Sequence, residues 1–215
     1  RPNFLFLSPL PKTETISTRD GSLLLSPEAV GKVFVKGIFI QRCPDLNFGF
    51  DLNDAELDRD RKMVDSYSLQ STVTNIFKLA VNKTPDLFSK YMALLESPSL
   101  ETENVAYNTY DISPELASFV GASFAAKYGA DAVPVESLAE SADLEHLGKK
   151  GIVVSRPLAR VLALTVGTSK DIAERLRQEV TTTLGWSELS AVQQRNLNSA
   201  IDMLNEGLRV VEGND

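Results

Sequence analysis

Apolar residues in the first third of this chain fall in short runs and alternations, and later they fall at helical spacing. Phe4-Leu5-Phe6-Leu7, closed by Ser8-Pro9 and Pro11, predicts a short buried strand, and the Thr-rich stretch 13–18 predicts a second. Arg19-Asp20-Gly21-Ser22 predicts a hairpin-type turn leading into Leu23-Leu24-Leu25. The densest β pattern is 32–40, where Val33, Val35, Ile38 and Ile40 are apolar and Phe34 and Phe39 stand between them. Such a near-continuous run predicts a strand covered on both faces. Gly37 inside it predicts a bulge or a close backbone approach. Cys43-Pro44-Asp45 ends the strand, and Phe48 and Phe50 around Gly49 predict another short strand or a packed loop.

From Tyr67 the period changes. Leu69, Val73, Ile76, Phe77 and Ala80 share one helical face. Thr84-Pro85 reads as an N-cap followed by proline at the first helical position, opening a helix with Phe88, Met92 and Leu95 inward. Ser113-Pro114 caps a helix carrying Leu116, Phe119, Val120 and Phe124, whose Ala117, Gly121, Ala122 and Ala125 permit close packing, and Gly129 ends it. Ala132-Val133-Pro134-Val135 predicts an edge strand because proline cannot donate to a ladder. A short helix over 138–147 and a buried strand at Ile152-Val153-Val154 follow, then a helix from Pro157 with Leu158, Val161 and Leu162. Ser169 caps a further helix with Ile172, Leu176 and Val180 inward, stopped by Gly185. Ser190 and Gln193 form a capping box for the last, which buries Leu197, Ile201 and Leu204 and ends at Gly207.

The fold class is therefore α/β (α+β). Residues 97–111 carry Pro98, scattered acids and little periodicity, and they mark the best internal boundary. The expected organisation is a β-rich domain with two following helices at 1–96, a linker at 97–111 and a helix-rich α/β segment at 112–215.

Composition narrows the partners. The chain has 215 residues, enough for a sizeable core, and its net charge of −7 is the wrong sign for a broad nucleic-acid surface. No apolar run approaches the roughly 18 residues of a membrane span. The one cysteine, Cys43, fits a cytoplasmic or other reducing intracellular compartment. The start at Arg1-Pro2-Asn3 and the clipped strand at Leu208-Arg209-Val210-Val211 suggest a fragment of something longer.

Candidate chemistry is sparse. His146 is the single histidine, beside Glu145 on a short helix, which fits a surface side chain better than a triad or a metal cluster. Cys43 reads as a buried, inert thiol. Asp51, Asn53 and Asp54 fail calcium-loop spacing because Ala55 stands at the fifth position, so no metal ligand is predicted. What remains is the charge knot Leu57-Asp58-Arg59-Asp60-Arg61-Lys62 ahead of the first long helix. It reads either as a solvated turn or as an arginine presented to a phosphate, since a guanidinium is always charged and offers a planar fork to phosphate oxygens. Paired carboxylate chemistry at Asp58 and Asp60 is a weaker reading, for want of a partner base.

The run from Val33 to Ile40, the following loop and the Leu57-Asp58-Arg59-Asp60-Arg61 motif opening a helix resemble the middle domain of the ninety-kilodalton heat-shock chaperones. These belong to the GHKL ATPases with gyrase B and MutL, and the charge knot also resembles that of phage rIIA-type members. The resemblance covers 24–80. It implies an S5-like transducer or middle domain directly downstream of a nucleotide-binding domain. Carried over by position, Arg61, with Arg59 as the close alternative, contacts the ATP γ-phosphate. On this reading Lys36 and Lys32 either support the same face or are solvent-exposed strand lysines. Where the chaperones place a glutamine one turn later, this chain has Asp65. The resemblance implies ATP held mainly by a domain absent from this chain, with that upstream domain as partner and a further protein or a second copy as possible others. The alternative is a non-catalytic interaction or scaffold domain.

Overall fold

In the computed structural model, residues 4–5, 12–55, 66–180 and 185–203 are described. The chain divides into a first unit, Arg1–Glu174, and a second, Arg175–Asp215.

The first unit is built on a mixed five-stranded sheet in the order β1-β2-β5-β3-β4. Its strands are β1 (Thr15–Ser17), β2 (Gly21–Leu24), β3 (Lys32–Val35), β4 (Ile38–Arg42) and β5 (Gly49–Leu52). β1 and β2 form the hairpin expected around Arg19-Asp20. The run at 32–40 is not one strand but two, β3 and β4, paired antiparallel with Val35 opposite Ile38. Lys36 and Gly37, at φ 50° and 77°, make the two-residue connection. Positive φ at both central residues matches a turn to the right-handed twist of its strands, and glycine enters that region without a Cβ penalty. Gly37 is therefore a turn residue; the irregularity of register lies between Val33 and Phe34.

β3 is covered on both faces. Val33 and Val35 join Leu23, Phe50 and Leu52 in the main core, while Phe34 packs with Leu24 and Ala29 on the other side. Phe4, expected in a full strand, forms an isolated antiparallel bridge to Ile38, and Phe6 and Leu7 lie outside the described residues.

α1 (Ser66–Lys83) crosses the main face, with Val73, Ile76, Phe77 and Ala80 fully buried. After it, Pro85–Leu87 is a 3-10 turn and α2 spans Phe88–Glu96. Thr84 makes no side-chain cap, so the proline rather than the threonine sets this start. Phe88, Tyr91, Met92 and Leu95 face inward.

Residues 97–111, expected to be a linker, are packed into the structure. Glu101, Thr102 and Val105 are fully buried. The Glu101 carboxylate accepts from the Asn47 amide at 2.5 Å and from Ser99 Oγ at 2.7 Å, and Thr102 Oγ1 donates to the Leu94 carbonyl at 2.8 Å. Local periodicity is weak because the stretch holds only a short 3-10 turn, Glu103–Ala106, and is otherwise tied by side-chain bonds and backbone turns.

α3 (Pro114–Tyr128) follows, with Ser113 Oγ accepting from the Leu116 amide at 3.1 Å. Its Leu116, Val120 and Phe124 belong to the same core as β3 and β5. β6 (Ala132–Val135), α4 (Leu138–Glu145), β7 (Lys150–Val153) and α5 (Arg156–Leu162) complete a parallel two-stranded unit. Its β7 is less buried than Ile152-Val153-Val154 predicted; Val153 is 48% exposed, as a two-stranded sheet covered on one face requires. α6 (Ser169–Val180) is capped one residue earlier than expected, by Thr168, whose Oγ1 and amide both donate to Asp171 Oδ2.

In the second unit, α7 (Ala191–Met203) begins at the expected box, with the Ser190 amide donating to Gln193 Oε1 at 2.9 Å. Leu197 is exposed rather than inward. The side chains of Val180 and Ile201, and all of Leu204 and Gly207, lie outside the described residues.

Candidate functional site

The two arginines of the charge knot, Arg59 and Arg61, lie outside the described residues, as do Asp58, Asp60, Lys62 and Asp65. Lys36 is described. It occupies the β3–β4 turn, exposed, with Nζ 3.7 Å from Asp54 Oδ1. Lys32 is the first residue of β3, opposite Arg42. The two lysines thus mark opposite ends of one strand and do not form a shared cationic face.

The surroundings of Lys36 follow from the sheet. β3 and β5 run parallel, with Val35 beside Leu52, so both strands end at one edge. There the Lys36 amide donates to the Leu52 carbonyl at 2.9 Å and the Gly37 amide to Asp51 Oδ1 at 2.8 Å. Burial pushes the Asp51 carboxyl above its usual range, and the bond from Gly37 partly opposes this. Beyond Leu52, the Asn53 amide donates to the Asp20 carbonyl at 3.1 Å and its side-chain amide to the Arg19 carbonyl at 2.8 Å. The edge is thereby fixed up to Asn53. Lys36 offers it a mobile point charge whose present partner, Asp54, is itself exposed, a pairing worth at most about 1 kcal/mol.

Cys43 is half-buried and not sealed in the core. Its Sγ accepts from Gln41 Nε2 at 3.3 Å. It lines a cleft of about 580 Å³ with Leu46, Leu69, Val73 and Leu100. A smaller cleft of about 250 Å³ lies at the carboxyl end of β6. Its carboxylates are already partnered: Glu136 with Arg160 at 3.5 Å and Arg156 at 3.7 Å, and Glu140 with Ser169 Oγ at 2.8 Å. His146 is exposed at the end of α4. Among the described residues no group of three or more His, Cys, Asp or Glu is placed to hold a metal ion, and no helix is long and apolar enough to cross a membrane.

One buried ionisable group stands apart from the candidates that the sequence marks. Lys78 on α1 is 1% exposed. Burial lowers its pKa, Asp111 and Asp20 oppose that, and Arg19 adds to it. A signal was present. Thr74, Lys78 and Val81 fall at helical spacing and are all buried, so α1 is enclosed on more than its obvious stripe.

No family model, no curated protein and no solved structure matches this chain.

Proposed function

We propose that this chain is the transducer-type segment of a GHKL-like ATPase. It couples ATP binding in an upstream nucleotide-binding domain to a conformational change, and Arg61, or Arg59 beside it, meets the γ-phosphate. The observation that carries the reading is the sheet order. β5 is the parallel neighbour of β3, and from its carboxyl end the chain continues through the Leu57-Asp58-Arg59-Asp60-Arg61 stretch into α1. Crevices at the carboxyl ends of parallel strands are where α/β proteins receive ligands. Lys36 lies at that same edge and supplies a second positive charge. An arginine delivered to ATP from outside the nucleotide-binding domain stabilises charge on the transferring phosphoryl group.

On this reading the chain alone holds ATP poorly, its compartment is a reducing one, and its partner is the nucleotide-binding domain. The test is ATP turnover by the polypeptide or complex carrying both parts. An Arg59→Ala, Arg61→Ala double variant is expected to lose about 10³-fold in kcat with little change in KM. Unchanged turnover rejects the reading.

A second reading, a non-catalytic interaction domain, is favoured by the exposed aromatic pair Tyr107 and Tyr110, 70% and 82% accessible. Aromatic side chains of that kind anchor protein interfaces.

A further inference from the structure

The buried Lys78 stands one helical turn before Asn82, which sits at a junction of three elements. From the sheet comes the β1–β2 turn, where Arg19 Nη2 meets Asp111 Oδ2 at 2.5 Å and Arg19 Nε stands 3.8 Å from Asp20 Oδ2. From the chain ahead of α3 comes the segment 108–113. From α1 come Lys78, Asn82 and Lys83, the last donating to the Ser17 carbonyl at 2.9 Å.

Asn82 ties the segment at two points. Its side-chain amide donates to the Asp111 carbonyl, and its Oδ1 accepts from the Ser113 amide at 3.1 Å. Asp111 itself stands at φ 66°, in the left-handed region. That conformation is tolerated by aspartate and asparagine but costs more than an ordinary turn. No described carboxylate stands within ion-pair distance of Lys78 Nζ, so its charge is balanced at longer range. The charged groups acting on it are Asp111 from the segment and Arg19 and Asp20 from the turn.

We infer that residues 108–113 form a charge-held strap across the C-terminal half of α1, closed by an Asp111 carboxylate that serves the exposed Arg19 and the buried Lys78 together. The Arg19 contact is the weaker part. Both partners are well exposed and screened by salt. The Lys78 part is less screened, because Lys78 is 1% exposed and an ammonium removed from water becomes costly as compensating charge is lost. Neutralising Asp111 therefore leaves Lys78 with Asp20 as its remaining described counter-charge, set against Arg19, and lets the strap open, whereas removing Lys78 as well relieves most of that cost. The strap joins sheet, α1 and the start of α3, so its opening loosens three elements at once. It does not depend on the phosphate-sensing reading.

The test is hydrogen exchange over 108–113 in the intact chain, as a double-mutant cycle. Asp111→Asn keeps left-handed tolerance and shape and removes only the charge. It is expected to speed exchange of the Ser113 amide on the order of tenfold. In the Lys78→Met background the same substitution is expected to change exchange by less than about twofold. Arg19→Ala, which removes only the exposed partner, is expected to have a small effect that vanishes at high salt. NMR titration of the Lys78 side chain supplies a readout that a packing role would not move: its midpoint lies below that of free lysine and falls further in Asp111→Asn. Equal effects of Asp111→Asn in both backgrounds, or a Lys78 midpoint indifferent to Asp111, would overturn the inference. Should Asp111→Asn fail to fold, the Arg19→Ala exchange data and the Lys78 midpoint at low and high salt decide it. A normal, salt-independent midpoint rejects the strap.

Discussion

Asp51 shows how one side chain carries both a turn and a pH dependence. It accepts the Gly37 amide at the β3–β4 connection while burial holds its carboxyl above the ordinary aspartate value of 3.8. A folded pKa raised above the unfolded one means that the native state binds this proton more tightly. The group then contributes nothing adverse below about pH 3.8, and it subtracts stability as pH rises through the raised value. Asp51→Asn keeps an oxygen for Gly37 and cannot ionise. Its melting temperature is expected to exceed that of the wild type at pH 7 by a few degrees and to converge with it near pH 3. A variant less stable than wild type at pH 7 would show that the charge strengthens the Gly37 bond by more than burial costs. No local pattern marks this role, because Asp51 and Gly37 are fourteen positions apart and meet through strand pairing.

At the scale of elements, the central strand β5 leaves no room for a side chain at its first residue. A Cβ added at Gly49 would meet the Ala29 carbonyl oxygen at 2.6 Å, a backbone atom that cannot swing aside. Gly49→Ala is expected to cost about 1–3 kcal/mol, read as a shift of the denaturant midpoint at unchanged slope. Gly49 was legible only as a weak point between Phe48 and Phe50; its backbone neighbour, Ala29, comes from a separate 3-10 turn. Helices were read more reliably than strands. α1, α3 and α5 occupy the expected stretches because their apolar spacing and caps are local signals. The β3–β4 hairpin is not legible in the sequence, because Lys-Gly lacks the strongest turn signature and the flanking apolar runs join into one apparent strand. The Leu197 face of α7 was expected to be buried, since periodicity reports amphipathicity and not what covers the face.

At the scale of the molecule, the first unit is held by one cluster that runs from Leu23 to Leu162. The expected break at 97–111 would cut through it: Glu101 and Val105 lie inside, and α3 and α5 contribute Val120 and Val161. A chain cut after residue 96 is expected to lose cooperative unfolding, whereas one ending at 174 retains the first unit's transition. Circular dichroism melts of the two truncations check this, and a sharp melt for 1–96 would contradict it.

By itself, the sequence determined the α/β class, the position of most helices, the strand segments flanking Gly37, and a single compact knot of arginine and aspartate ahead of α1. These are properties of spacing and residue type, and they act over a few positions. Only the tertiary structure decided that 32–40 folds back as a hairpin, that β5 lies parallel beside β3, and that 97–111 belongs to the core. It alone brought Asp111 to Arg19 and to Asn82, one helical turn beyond the buried Lys78. Each of these depends on groups far apart in the chain sharing a desolvated interior, where a charge or an amide is fixed by whatever partner the fold brings to it.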